Sequence, residues 1–370
     1  MVSTASDTGR PLQHLQVITG IQGLRFVAAL IVVFIHLQVI LQDLGLPAPK
    51  GGVDIFFVIS GFIMVYTTFG QRTTPVRFAL NRIVRIVPIY WIMTLATFAL
   101  AFAAPSLFEN TTANLPDLLK SLFFVPFSKD GVNVRPLLFV GWTLNYEMFF
   151  YAIFAVGLVF RRYVQGVVFS VGTLLACVAA GLVFRPDTLA LDFFTDPILL
   201  EFGAGMMIGY FCAPMASVAD PARRRLWGVV AIAALLLTAF MGELIPWAHR
   251  AISAGIPATV LVLATVLYEK AGGRLENRVA LLLGDASYSL YLTHPFVTAA
   301  TVVAFRWLQP DFWGVHLALM VACVVLASFV AVLCYLVLER PITNRLRGLS
   351  KVRSGRPLAT GNGRPRLGIN

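Results

Sequence analysis

Charge is scarce in this chain of 370 residues: 13% are Asp, Glu, Lys or Arg, while 58% are apolar. Soluble globular chains carry about one quarter charged residues. That deficit, with a mean hydropathy of +0.80, places the chain in the membrane class and leaves no room for a sizeable soluble domain. Cysteine is also sparse. The four present, Cys177, Cys212, Cys323 and Cys334, sit in apolar stretches without metal-ligand spacing and read as small buried hydrophobes. Residues 1–20 lack an apolar signal core, so no cleaved leader is predicted. There is no Walker loop, no G-x-G-x-x-G, no H-E-x-x-H and no G-x-S-x-G. No histidine is followed five positions on by aspartate, which excludes the H-x4-D arrangement of many soluble acyltransferases. The net charge of +11 does not indicate nucleic acid, because no basic run is set within a soluble fold.

What the chain has is long apolar stretches. They fall at 22–41, 52–69, 86–104, 138–160, 164–184, 193–213, 226–245, 249–268, 279–305 and 313–338. A hydrocarbon core about 30 Å thick needs about 20 such residues per helix. The expectation is an all-α polytopic bundle of about ten transmembrane helices. Residues 105–137 read as a loop punctuated by Pro105, Pro116, Pro126 and Pro136, with 115–127 too short to span and suited to the interface. With both termini placed in the cytoplasm, only Lys50, Lys120, Lys129, Arg135, Arg185, Arg250 and Arg306 fall outside, against the remaining 22 of 29 basic residues inside. That bias obeys the positive-inside rule, and an eleventh crossing through 115–127 would scramble it. The predicted organisation is a cytoplasmic segment 1–20, a membrane domain 21–341, and a basic, disordered cytoplasmic tail 342–370.

Ionisable residues within membrane spans are costly and therefore candidates for function. Here they are His36, Asp54, Glu147, Glu201, Asp285 and His294, with Arg25 and Glu339 near the inner ends. Arg25 and His36 are eleven residues apart, about three turns and roughly 16 Å along a helix, so they share a face. Asp54 enters the second span at a depth similar to that of His36, where a carboxylate would orient the imidazole. Glu147 lies near mid-membrane, and both it and Asp54 read either as catalytic groups or as structural partners of arginines. Glu201 and Asp285 read as structural, and His294, just before Pro295, as a cap on a broken helix or a functional group. Gly205 and Gly209 read as a small-residue packing face. Arg82 and Arg85 are i, i+3 neighbours at the mouth of the third span, suited to phosphate or to lipid headgroups. Tyr90 and Trp91 beyond them also fit an interfacial aromatic belt.

Six of these stretches together resemble the acyltransferase 3 family of membrane proteins. They are IQGLRFVAALIVVFIH ending at His36, GVDIFFVISGFI from Gly52, RIVR from Arg82 with IVPIYW after it, WTLNYE from Trp142, LGDASYSLYLTH ending at His294, and ERP from Glu339. They follow the family's order across residues 21–341. The wording is similar to exopolysaccharide-production acetyltransferases, and an appended hydrolase-like domain of the kind some members carry is not expected.

The resemblance implies transfer of an acyl group, usually acetyl, from cytosolic acyl-CoA to a hydroxyl of an exopolysaccharide or its lipid-linked precursor, at the bacterial inner membrane. It assigns catalysis to His36, Arg25, Asp54 and Glu147, acyl-CoA binding to Arg82, Arg85, Tyr90 and Trp91, and acceptor binding to Trp142, Asn145, Tyr288, Tyr291 and His294. His36 would act as a base or accept the acyl group transiently. No permanently bound cofactor or metal is implied. The partners are the lipid bilayer, acyl-CoA, a carbohydrate or glycoconjugate acceptor, and polysaccharide synthesis or export machinery. A proton-coupled transporter or flippase would also bury His, Asp and Glu mid-bundle, but it would show internal repeats, and none is visible.

Overall fold

The computed structural model describes residues 18–71, 73–107, 112–128 and 133–353. Among the described residues it is all helix, with one isolated β-bridge between Ser128 and Val134. The helices are α1 (Thr19–Ile35), α2 (Gln38–Asp43), α3 (Gly52–Thr68), α4 (Pro75–Ala103), α5 (Leu115–Leu122), α6 (Trp142–Gly157), α7 (Tyr163–Phe184) and α8 (Leu189–Phe193). They continue as α9 (Leu199–Cys212), α10 (Pro221–Leu244), α11 (Ile256–Lys270), α12 (Arg278–Asp285), α13 (Ser287–Leu308), α14 (Trp313–Cys334) and α15 (Arg340–Arg353). A π turn, Ala251–Gly255, leads into α11, and another, Tyr335–Glu339, joins α14 to α15.

Every apolar stretch of the sequence contains helix. Among the described residues, six helical segments are long and apolar enough to cross a membrane: Pro75–Ala103, Phe139–Gly157, Tyr163–Phe184, Pro221–Leu244, Ala251–Lys270 and Trp313–Gly348. Thr19–Ile35, Gly52–Thr68 and Leu199–Cys212 are shorter apolar helices, and α13 is 22 residues long but richer in polar groups.

The helix starts follow local chemistry. Thr74 accepts from the backbone N–H of Arg77 at 3.3 Å ahead of Pro75, and Asp220 accepts from the N–H groups of Ala222 and Arg223 at 3.0 Å ahead of Pro221. Such caps satisfy donors that no helix can satisfy itself, and proline tolerates the first helical position. The centre of the bundle is the α3–α9 pair, where backbones approach without side chains between them. A Cβ on Gly61 would lie 2.1 Å from the Phe202 carbonyl oxygen, and one on Gly205 would lie 2.0 Å from that of Val58. The small-residue face on α9 is therefore a packing face. Around it Phe57, Phe150 and Phe202 stack, with ring centroids 4.5 Å apart for both Phe57–Phe202 and Phe150–Phe202.

Three local expectations change. The single span 22–41 is two helices, because α1 stops at Ile35 and the chain turns at His36 before α2. The segment 115–127 contributes α5, whose Ser121 is fully buried against α4. The basic tail is helical through Arg353, since Leu338 and Ile342 anchor its start against the main apolar core. Residues 1–17 of the N-terminal segment and 354–370 of the tail lie outside the described residues.

Candidate active site

Arginines from two helices meet at a cavity of about 110 Å³ inside the bundle. Its polar lining includes Arg25 from α1, Ser60 from α3, Arg82 and Arg85 from α4, and Thr143, Glu147 and Tyr151 from α6. Tyr288 and Tyr291 of α13 line the same cavity, between apolar walls that include Phe56, Phe57, Ile63 and Leu144. The charges are held rather than loose. Gln22, one turn below Arg25, accepts from its Nη1 at 3.1 Å. The Arg82 guanidinium lies 5.5 Å from the Phe78 ring centre and 5.9 Å from that of Tyr151. Arg82 is 8% exposed, and its Nε has no hydrogen-bond partner among the described residues. A buried guanidinium donor without an acceptor is costly, so this one is arranged for an anion. The Glu147 carboxylate is itself engaged: Ser60 Oγ donates to it at 2.6 Å, and so does the Tyr151 hydroxyl.

His36 terminates α1 and is half-buried. Its Nδ1 lies 2.7 Å from the Val32 carbonyl oxygen. A carbonyl can only accept, so Nδ1 carries the hydrogen, and a neutral ring presents its lone pair at Nε2. The same bond satisfies a carbonyl of the last helical turn, which accounts for the chain turning there. Phe139 packs on the imidazole at 4.9 Å between ring centres, and His294 packs on it at 5.0 Å. His294 repeats the arrangement. It is fully buried, its Nδ1 is 3.1 Å from the Leu290 carbonyl, and its Nε2 has no partner among the described residues. It does not cap a broken helix, because α13 runs unbroken past Pro295. Tyr291, at 6.0 Å from His294, joins this pair to the cavity and exchanges a 2.7 Å hydrogen bond with Thr143. The two histidines thus stand one aromatic ring beyond the cavity wall, and His36 lies roughly 16 Å along the α1 axis from Arg25.

Asp54 does not orient His36. Arg250, read from the sequence only as an outer-loop charge, donates to both of its carboxylate oxygens, at 3.2 Å from Nε and 2.7 Å from Nη2. Asp54 is 1% exposed, buried Glu201 stands beside it, and Trp142 packs under the Arg250 guanidinium at 5.6 Å. Tyr90 and Trp91 do not line the cavity either. Tyr90 donates to the Ser121 carbonyl at 3.1 Å and Trp91 Nε1 to that of Leu122 at 2.8 Å, so both hold α5 against α4. The five residues assigned to an acceptor divide. Tyr288 and Tyr291 face the arginine cavity, His294 pairs with His36, and Trp142 belongs with Arg250. Asn145 is 2% exposed, with neither end of its amide bonded among the described residues. Ser60, Tyr151, Thr143 and Phe139 escaped the sequence reading because hydroxyls and aromatics are too common in apolar spans to signal a site.

A family profile described as an acyltransferase domain, acyltransferase 3, matches residues 18–337. The chain belongs to this acyltransferase family. It is 39% identical over 302 residues to the exopolysaccharide production protein ExoZ of Rhizobium meliloti (strain 1021), covering 80% of this chain and 90% of that protein. No solved structure matches it. Membership accounts for the arrangement just described: a multi-pass membrane acyltransferase with its charged groups turned inward.

Proposed function

We propose that the protein is a membrane O-acyltransferase that moves an acyl group, acetyl in its normal reaction, from cytosolic acyl-CoA to a hydroxyl of an exopolysaccharide or its lipid-linked precursor. The observation that carries this is an anion-ready arginine cavity and, one ring beyond it, a histidine whose Nδ1 is held by the Val32 carbonyl so that its lone pair sits at Nε2. Acyl-CoA is a polyanion with an extended apolar arm ending in a thioester. Arg25, Arg82 and Arg85 suit its phosphates, and the Phe56, Phe57, Ile63 and Leu144 walls suit the arm. The relative's printed association with exopolysaccharide production supports the acceptor class.

In this reading ten helices (α1, α3, α4, α6, α7, α9, α10, α11, α13 and α14) cross the bacterial inner membrane, with both termini and the arginine end cytoplasmic. The positive-inside bias supports that orientation. His36 Nε2 takes the proton of the acceptor hydroxyl as its oxygen attacks the thioester carbonyl. The carbon–sulfur bond breaks, the thiolate leaves, and the imidazolium returns its proton to the sulfur. Val32 fixes the tautomer throughout, and Trp142 and Asn145 offer an aromatic face and an amide to the incoming sugar. Membranes supplied with acetyl-labelled acetyl-CoA test the proposal. Base-labile label in extracted saccharide, dependent on this chain, is expected. Labelled CoA consumed without any labelled saccharide, or no consumption by correctly inserted protein, would remove it.

A further inference from the structure

Glu147 lines the arginine cavity but has no part in the transfer step above. It forms no ion pair with any arginine among the described residues. It makes no hydrogen bond to His36, whose Nδ1 is taken by Val32 and whose ring packs on Phe139 and His294. What holds the carboxylate is one-sided. Ser60 Oγ donates to Oε1 at 2.6 Å, and the Tyr151 hydroxyl donates to the same oxygen. Oε2 has no hydrogen-bond partner among the described residues. Each carboxylate oxygen can accept two hydrogen bonds, and leaving one with none inside a protein is costly.

The other hydroxyls on the cavity wall are spent within the protein. Tyr288 donates to the Ile86 carbonyl at 2.8 Å. Thr143 and Tyr291 share a 2.7 Å bond, and both reach the Val140 carbonyl. Asp285 and Glu339, the further carboxylates near the arginines, do not line the cavity, and Glu339 accepts from Ser289 Oγ at 2.6 Å. Among the described residues, the side-chain groups left for a ligand are therefore guanidinium donors and one carboxylate oxygen. A phosphate suits the first and is repelled by the second. A ligand that satisfies both carries an anion with N–H or O–H donors next to it. Acyl-CoA has that order: after the pyrophosphate, the pantetheine arm presents a hydroxyl and then two amide N–H groups before the thioester. Resting on the acyl-CoA reading above, we propose that Glu147 binds the pantetheine arm of the donor, its Oε2 accepting from one of the arm's N–H or O–H groups. Ser60 and Tyr151 fix the carboxylate for that contact. Glu147 then distinguishes an acyl-pantetheine donor from a bare nucleotide or phosphate, which the arginines alone would hold.

The test uses purified full-length protein in detergent, as wild type and Glu147→Gln, with CoA and with 3′-phospho-ADP, the nucleotide half of CoA without its arm. Glutamine keeps the volume and an oxygen for Ser60 and Tyr151 but sets an amide donor in place of Oε2, so melting should match wild type. Losing one charge-assisted bond should weaken CoA binding about 10- to 100-fold. The KM for acetyl-CoA should rise in step, with kcat within a few-fold of wild type. Binding of 3′-phospho-ADP should be unchanged or tighter, because a negative charge has left the arginine cavity. Equal weakening of both ligands, unweakened CoA binding, or a kcat lowered 10²- to 10⁴-fold at unchanged CoA affinity would overturn the assignment. Wild type alone supplies a second check: CoA should bind at least about tenfold tighter than 3′-phospho-ADP, and equal affinities would overturn the assignment without any variant. If wild type binds neither, the acyl-CoA reading falls and this assignment falls with it.

Discussion

Replacing Arg250 with alanine leaves the Asp54 carboxylate, 1% exposed, without either of its hydrogen bonds and with Glu201 still beside it. Stripping one partner from a fully buried ion pair costs about 3–5 kcal/mol. The Arg250 side chain is 39% exposed, so water reaches the pair and screens it. The expected loss is therefore nearer 2 kcal/mol, about a 30-fold shift in the folding equilibrium. Thermal melting of the detergent-solubilised protein, followed by loss of the monodisperse species, reads it. Adding Asp54→Asn removes the uncompensated charge and should recover more than half of the lost stability. The double variant should still transfer acetyl within a few-fold of wild type, because this pair braces α3 against the start of α11 and does not touch His36. A well-folded double variant slowed 10²- to 10⁴-fold, the range of a lost acid–base group, would refute the reasoning and return Asp54 to catalysis.

Arg82→Ala should raise the KM for acetyl-CoA about 10- to 100-fold, as expected for one charge-assisted contact. Arg82→Lys should restore little of it, because a point charge lacks the guanidinium fork; full rescue by lysine would contradict a bidentate role. Tyr90→Phe removes the bond to the Ser121 carbonyl and should cost about 1 kcal/mol of stability with KM unchanged, whereas a KM increase at unchanged stability would put Tyr90 back in the donor site. Gly61→Ala places a Cβ 2.1 Å from a backbone oxygen and should cost at least about 3 kcal/mol, the upper end for overpacking; wild-type melting would mean that α3 and α9 can separate freely.

The helical class and every apolar stretch were legible in the sequence, because lipid demands runs of about 20 apolar residues and leaves few alternatives. The Arg25–His36 spacing and the Arg82–Arg85 pair were legible for a similar reason: few ionisable groups survive in such stretches without a task. Partnerships between helices were not. Asp54 and His36 share a depth, but depth does not fix azimuth, and Asp54 turns toward Arg250, 196 residues away in sequence. His36 and His294 are distant in the chain and meet only because α1 packs against α13. The break after His36 depends on one side-chain bond to Val32. Tyr90 and Trp91 carry the composition of an interfacial belt, and their use in holding α5 could be seen only once α5 was seen to fold back onto α4. The tail misled because composition alone does not reveal that Leu338 and Ile342 find a core to join.

The measurement closest to the heart of the proposal takes one preparation each of wild type and His36→Ala and reads two quantities on both. These are the affinity for a non-transferable acetyl-CoA analogue and the single-turnover rate of acetyl transfer to acceptor saccharide. With Arg25 about 16 Å along the α1 axis from the imidazole, His36→Ala should bind the analogue as wild type does and transfer 10²- to 10⁴-fold more slowly. A variant that transfers at the wild-type rate, or one that loses binding as severely as transfer, would contradict the separation of a donor-binding arginine end from a reacting histidine end.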